Sequence, residues 1–256
     1  MKSDTVQTEG LDPGKLPFHV AMIMDGNGRW AKKRLMNRVK GHERGSQTVR
    51  SIVTAAREMG IGMLTLYAFS TENWARPRIE VSALMMLLKR FLVSERDELM
   101  RRGVRLNILG QQEKLPEDVR QEADTTLEMT RNNKGMVLNL ALSYGSRQEI
   151  AQGVQVLAQK IKAGLIQPQD ITEEMISDHL YTRQMPDPDL IVRTSGEFRL
   201  SNFMLWQAAY SELFITQTLW PDFTREEFIE ILINFQKRDR RFGRVKCSTL
   251  NDGSPQ

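Results

Sequence analysis

HVAMIMDGNGRWAKKR, residues 19–34, runs from an apolar segment through one aspartate and two glycines into a basic tail. Residues 20–24 read as a buried strand, Gly26-Asn27-Gly28 as a turn, and Arg29 onward as the start of a helix. A strand, a glycine turn and a helix start together form a phosphate cradle, because free backbone N–H groups and the positive helix end aim at one spot. The carboxylate of Asp25 sits at the lip of that cradle. It would repel a bound diphosphate unless a divalent cation lay between them. This stretch therefore predicts Mg²⁺ and a diphosphate.

Working outward, residues 29–42 are rich in Arg, Lys and Gly and read as a mobile basic segment. A helix is expected over 43–59, a strand over 63–69 and a polar loop at Ser70-Thr71-Glu72-Asn73-Trp74. A long helix over 80–102 carries Val81, Leu84, Met85, Leu88, Leu92 and Leu99 at helical spacing. Strands over 104–109, 136–142, 190–192 and 213–216 alternate with helices over 116–131, 146–163, 172–180 and 224–238, and 203–210 reads as helical. The fold class is α/β: a single domain with a mostly parallel central sheet of about six strands, flanked by helices on both faces. The near-continuous apolar strands agree, since such strands are buried on both sides. In open sheets of this kind ligands bind beyond the carboxyl ends of the strands. Asp25-Gly26-Asn27-Gly28, Ser70–Asn73, Ser143-Tyr144-Gly145 and Arg193-Thr194-Ser195 all fall there.

The chain has 256 residues, is 40% hydrophobic and carries a net charge of +4, enough for one sizeable core and a basic surplus that suits an anionic partner. No apolar run approaches the ~20 residues that span a bilayer. The first 17 residues read as a loose tail and not as a signal peptide. The single cysteine, Cys247, excludes an internal disulfide and a multi-cysteine metal site, and fits a reducing cytosol.

Gly26-x-Gly28-x-x-Ala31 also matches a dinucleotide fingerprint. Three features oppose it. Asp25 would face a pyrophosphate that binds without metal, Arg29 and Trp30 are bulky where the helix must pack, and the acid expected about 20 residues on is missing. There is no P-loop. Among Arg29, Lys32, Lys33, Arg34, Arg38, Lys40 and His42, a solvated face and an anion site weigh about evenly. Arg193, Arg199 and Ser201 form a second anion site, because guanidinium forks match phosphate oxygens. Two such sites point to two phosphorylated substrates. Glu212 reads either as an exposed strand-start residue or as a second metal ligand.

In order along the chain, HVAMIMDGNGRWAKKR at 19–34, GH at 41–42, LYAFSTENWARP at 66–77, IVRTSGEFRLSNFMLWQ at 191–207, ELFITQTLWPDF at 212–223 and RRFG at 240–243 resemble the cis-prenyltransferases. Among these they are most similar to the bacterial undecaprenyl diphosphate synthases. The resemblance implies a catalytic domain over 18–244 between flexible tails at 1–17 and 245–256. It also implies an apolar tunnel walled by the helices at 43–59 and 80–102, with Ala68 on its lining.

The resemblance further implies farnesyl diphosphate at Asp25, Gly26, Asn27, Gly28, Arg29, Trp30, Arg38 and His42. Isopentenyl diphosphate would lie at Arg193, Arg199, Leu200 and Ser201, with Ser70, Thr71, Glu72, Trp74 and Arg76 completing the substrate sites. Mg²⁺ would be held by Asp25 and a diphosphate, with Glu212 as the other ligand position. Asn73 matches a position assigned as proton acceptor. A neutral amide is a weak base, so it is expected to orient isopentenyl diphosphate or to relay the proton. The implied product is undecaprenyl diphosphate, built with Z double bonds, the lipid carrier precursor for cell-wall polysaccharide. Arg241-Phe242-Gly243 is expected to reach the partner's site in a homodimer. The protein is expected in the cytoplasm, with peripheral membrane contact for product release and no nucleic-acid partner. A nicotinamide-dependent oxidoreductase and a non-catalytic prenyl-binding subunit are the rival readings. Such subunits lose the metal carboxylate, and Asp25 is retained. Ser143 and Ser146 depart from the Asn-Tyr-Gly-Gly-Arg pattern common in the family.

Overall fold

The computed structural model describes residues 10–238. Its sheet contains β1 (His19–Ile23), β2 (Met63–Ser70), β3 (Val104–Leu109), β4 (Met136–Tyr144), β5 (Leu190–Arg193) and β6 (Glu212–Ile215). Their order is β3-β4-β2-β1-β5-β6, and every neighbouring pair is parallel. The helices are α1 (Asn27–Lys33), α2 (Arg38–Met59), α3 (Arg78–Ser94), α4 (Arg96–Arg101), α5 (Glu117–Thr130), α6 (Ser146–Lys162), α7 (Glu173–Ser177) and α8 (Arg225–Gln236).

Both sheet faces are buried. Val20, Met22, Leu64 and Leu66 pack into a large core with side chains of α2, α3, α5 and α8. Ala21, Ile23, Ile191 and Ala141 pack on the other face against Tyr144, Phe203 and Met204. This two-sided burial is why the strands read as continuous apolar runs. From β1 the chain moves outward through β2, then returns to place β5 on the opposite side of β1. The carboxyl ends of β1 and β5 therefore flank a topological switch point, where a ligand crevice is expected.

The segment 203–210, expected to be helical, is so only over Gln207–Tyr210, and three further segments differ from the sequence expectation. Residues 29–42 do not form a mobile stretch, because α1 and the first turn of α2 occupy them. Asn37 caps α2, its side chain accepting from Lys40 N at 3.1 Å. The glycines there serve close packing: a Cβ on Gly41 would sit 2.1 Å from Asn27 O, and one on Gly45 would sit 2.3 Å from Asn27 Oδ1. The helix expected over 80–102 is divided into α3 and α4 at Glu95. There the buried carboxylate accepts from Arg50 Nε at 3.0 and 3.1 Å. Finally, part of the expected N-terminal tail is docked. Asp12 N donates to Gln236 Oε1 at 3.1 Å and Gln236 Nε2 returns a bond to Asp12 O at 2.7 Å, while Leu11 and Leu16 pack against the core.

Candidate active site

Asp25 lies two residues beyond β1. Its backbone N donates to Thr194 Oγ1 at 3.0 Å, and Thr194 Oγ1 donates to Asp25 O at 2.7 Å, so the two strand ends are laced together. Gly26 then turns the chain at φ 111°, a left-handed value suited to glycine, and α1 begins at Asn27. The Asp25 carboxylate accepts from Gly26 N at 2.6 Å and from Arg193 Nη2 at 2.8 Å, and Arg29 Nη2 lies 3.5 Å away. Burial raises the carboxyl's pKa, but Arg193, Gly26 N and Arg29 outweigh it and hold Asp25 below the usual carboxylate range.

Arg193 ends β5 and is 3% exposed. Besides Asp25 it donates to Ser201 Oγ at 2.7 Å and to the carbonyl of Arg199. Its buried Nε has no partner among the described residues, and the side chain lines one of the clefts described below.

Two clefts meet at Asp25. The first has about 1130 Å³ of space between atoms, including its solvent-open mouth. Asp25, Gly26, Asn27, Gly28, Arg38, His42, Asn73 and Arg76 form its polar end, and Val49, Leu84, Leu88 and Phe91 wall its apolar depth between α2 and α3. Ala68 joins this wall because a bulge in β2, where Tyr67 pairs Ala141 and Phe69 pairs Leu142, turns it out of the ladder. The second cleft is polar, lined by Asp25, Ser70, Glu72, Asn73, Arg76, Arg193, Ser201 and Asn202. Asp25, Asn73 and Arg76 thus face both spaces.

Arg38 reaches over Gly28, where a Cβ would come within 2.8 Å of its Nε. Glu80 fixes both rim arginines, at 3.3 Å from Arg38 and 3.0 Å from Arg76. His42 is pushed down to about 4 by burial, with Arg76 and Arg38 adding to the effect. It enters the site as a neutral imidazole and not as a cation. Ser70 N donates to Asn73 Oδ1 at 3.2 Å, which orients the amide.

Several residues named from the sequence do not line either cleft. Trp30 is buried and donates to Asp222 Oδ1 at 2.7 Å. Trp74 packs on Phe69 and donates to Ser143 Oγ at 2.9 Å. Thr71 faces Gly145, Leu200 packs on the smaller core, and exposed Arg199 pairs with Glu197 at 2.5 Å. Arg29 touches the site through Asp25, and donates to Ser195 O at 3.0 Å.

Glu212 opens β6 in register with Leu190, at the amino end of the sheet, and pairs with Arg238. One chain therefore does not bring Glu212 to Asp25, because strand direction in a parallel sheet puts the first residue of β6 and the residues beyond β1 at opposite ends. Arg241-Phe242-Gly243 and the tail 245–256 lie outside the described residues.

Three supporting groups were not singled out from the sequence. Asn202 Nδ2 donates to Glu72 Oε1 at 2.8 Å, and its Oδ1 accepts from Arg147 N at 2.8 Å. Glu80 had a local signal, its four-residue spacing from Arg76. Glu149 had none. Its buried carboxylate accepts from Tyr144 Oη at 2.5 Å, Tyr181 N at 2.8 Å and Gln207 Nε2 at 3.3 Å, pinning the end of β4 to the 200–208 loop. Burial raises the pKa of Glu149 despite these donors. The two serine departures have structural roles as well. Ser143 adopts φ 48°, and Ser146 Oγ accepts from Leu205 N at 3.0 Å.

Among the described residues no three His, Cys, Asp or Glu side chains gather to hold a metal. The donor set fits a hard cation that takes one protein carboxylate, Asp25, and draws its other oxygens from a bound diphosphate and water.

A wholly parallel sheet with two clefts meeting at its switch point places the ligand site where open α/β sheets bind their ligands. The chain belongs to the prenyltransferase family whose model, described as "Putative undecaprenyl diphosphate synthase", matches residues 23–243. Over 91% of its length it is 53% identical to the isoprenyl transferase of Geobacillus kaustophilus, covering 90% of that protein. It is 51% identical to the isoprenyl transferase of Clostridium perfringens over 91% of this chain and 92% of that one. Among solved structures, lavandulyl diphosphate synthase from Lavandula x intermedia, in complex with dimethylallyl diphosphate, superposes with a TM-score of 0.88 at 35% identity, covering 90% of this chain and all of that one. A probable undecaprenyl diphosphate synthase from Campylobacter jejuni gives a TM-score of 0.73 at 33% identity, over 89% and 99% of the two chains. The chain is a cis-prenyltransferase, and its substrates are isoprenoid diphosphates. No described helix is long and apolar enough to cross a membrane.

Proposed function

We propose that the protein condenses isopentenyl diphosphate repeatedly onto farnesyl diphosphate, in a Mg²⁺-dependent reaction, to give undecaprenyl diphosphate with Z double bonds. The observation that carries this reading is the meeting of an apolar, arginine-mouthed cleft with a polar one at Asp25 and Asn73. The allylic diphosphate lies with its prenyl chain between α2 and α3 and its phosphates at Gly26–Gly28, Arg38 and Arg76. Isopentenyl diphosphate lies in the polar cleft, where Arg193 Nε and Ser201 meet its phosphates.

The allylic C–O bond breaks with its electron pair leaving on diphosphate. The alkene of isopentenyl diphosphate forms the new C–C bond, and a proton passes from the resulting cation to a diphosphate oxygen, which restores a double bond. Asp25 would hold the Mg²⁺, which when bound would neutralise charge on the leaving diphosphate. Arg38 and Arg76 are held by Glu80 before substrate arrives, so they stabilise that charge without reorganising. With Oδ1 taken by Ser70 N, Asn73 offers Nδ2 to a diphosphate oxygen and serves to position the substrate that loses the proton. The apolar walls exclude water from the cation. Each added unit buries about five carbons at ~0.8 kcal/mol per CH₂, which favours elongation until the cleft is full.

The test is turnover of farnesyl and isopentenyl diphosphates with and without Mg²⁺, with the lipid product sized by mass spectrometry. A Mg²⁺-dependent long polyprenyl product is expected. A single condensation to a short product would move the reading toward the chemistry named for the lavandulyl enzyme.

A further inference from the structure

We infer that the turn between α1 and α2, together with the first turn of α3, is a docking surface for an anionic lipid bilayer. The inference rests on the proposed long polyprenyl product. Leu35 ends α1 at φ 55° with 98% of its surface exposed. Met36 N closes the turn by donating to Ala31 O at 2.9 Å. A left-handed helix end normally takes glycine or asparagine. A leucine here carries backbone strain and leaves a large apolar side chain in water. Beside it Met36 is 49% exposed, and Ile79 at the start of α3 is 85% exposed. The two turns are neighbours, because Arg38 opens α2 and pairs with Glu80 at 3.3 Å, and Glu80 directly follows Ile79.

Charge complements this apolar cluster. Lys32, Lys33 and Arg78 are exposed, and none has a carboxylate partner among the described residues. Residues 29–44 hold seven Lys and Arg against Glu43 alone, a surplus of six where the whole chain has four. Apolar side chains that can enter the headgroup layer, ringed by free cations, supply the two signals that stable attachment to an anionic membrane needs. A second copy of the chain fits poorly, since a two-fold contact would set this surplus against itself. The position also suits the reaction. Arg38 and Arg76 line the polar end of the apolar cleft, so this surface lies beside the place proposed for the diphosphate end of the product.

The test is co-sedimentation of the full chain with phosphatidylcholine vesicles, with and without phosphatidylglycerol, across a salt series. The unmodified protein is expected to bind the anionic vesicles, to release with salt and to ignore the neutral ones. Lys32→Gln with Lys33→Gln should weaken binding roughly thirtyfold. Leu35→Ser with Ile79→Ser should also weaken it, and both variants should keep single-turnover condensation. Absence of binding by the unmodified protein overturns the inference, as does equal binding by all three proteins. A change of sedimentation coefficient on Leu35→Ser with Ile79→Ser would assign the patch to a second copy and overturn it too. None of these binding readouts needs the enzyme to turn over, so failure here is separable from failure of the proposed reaction.

Discussion

Arg193 and Asp25 are 168 residues apart in sequence, and Arg193 Nη2 donates to Asp25 Oδ2 across the switch point at 2.8 Å. The pair joins the two clefts. It also keeps Asp25 ionised, the state in which a carboxylate can ligate a cation.

Replacing Asp25 should therefore remove turnover and leave the fold. For Asp25→Ala we expect kcat to fall by about 10²–10³ or more, on the scale of losing a preorganised charge-stabilising group. Far-ultraviolet circular dichroism should be unchanged. Near-normal turnover would remove the metal role assigned to Asp25.

Arg193→Lys keeps a charge but loses the fork that reaches Asp25, Ser201 and the Arg199 carbonyl together. The KM for isopentenyl diphosphate should rise by roughly tenfold to a hundredfold, the cost of one or two charged hydrogen bonds. An increase confined to farnesyl diphosphate would exchange the two substrate assignments.

Ala68 faces the apolar cleft from a bulge in β2. Ala68→Leu fills part of that space, so the product should be shorter by one or more five-carbon units, as read by mass spectrometry. An unchanged product length would place the growing chain elsewhere.

His42 titrates near 6.5 when unfolded and is pushed down to about 4 when folded, chiefly by burial. Between those values the unfolded chain binds more protons, so stability present above pH 6.5 is lost as pH falls toward 4 and levels off below it. The loss attributable to His42 is at most ~3 kcal/mol. His42→Gln should flatten the denaturation midpoint over that window. An unaltered pH profile would assign the acid sensitivity to other groups.

Gly41 has no room for a side chain, since its Cβ would stand 2.1 Å from Asn27 O. Gly41→Ala should cost about 1–3 kcal/mol through forced separation of α1 and α2, and it should weaken diphosphate binding by shifting the Asn27 turn. A variant as stable as the parent would show that α2 can yield there.

Much of this protein was determined by local pattern. Alternating apolar strands and amphipathic helices made the parallel sheet legible, and the carboxyl-end rule gathered Asp25, Ser70, Asn73 and Arg193. What one strand's position cannot encode is its partner's direction and depth. Glu212 looked like a companion for Asp25, but β6 carries it at the opposite end of the sheet, beside Arg238. Gly41 fell in a segment that read as mobile, and it proved to be a close contact with Asn27. Trp30 was placed among the substrate-binding residues, but its ring is buried and its indole N–H bonds Asp222. Glu149 gave no sign at all, since two of its three donors, Tyr181 N and Gln207 Nε2, come from distant segments. Sequence periodicity fixes which face of an element is apolar. Only tertiary packing decides which polar atoms from remote strands arrive within hydrogen-bond distance, because those contacts depend on register and on how closely helices approach.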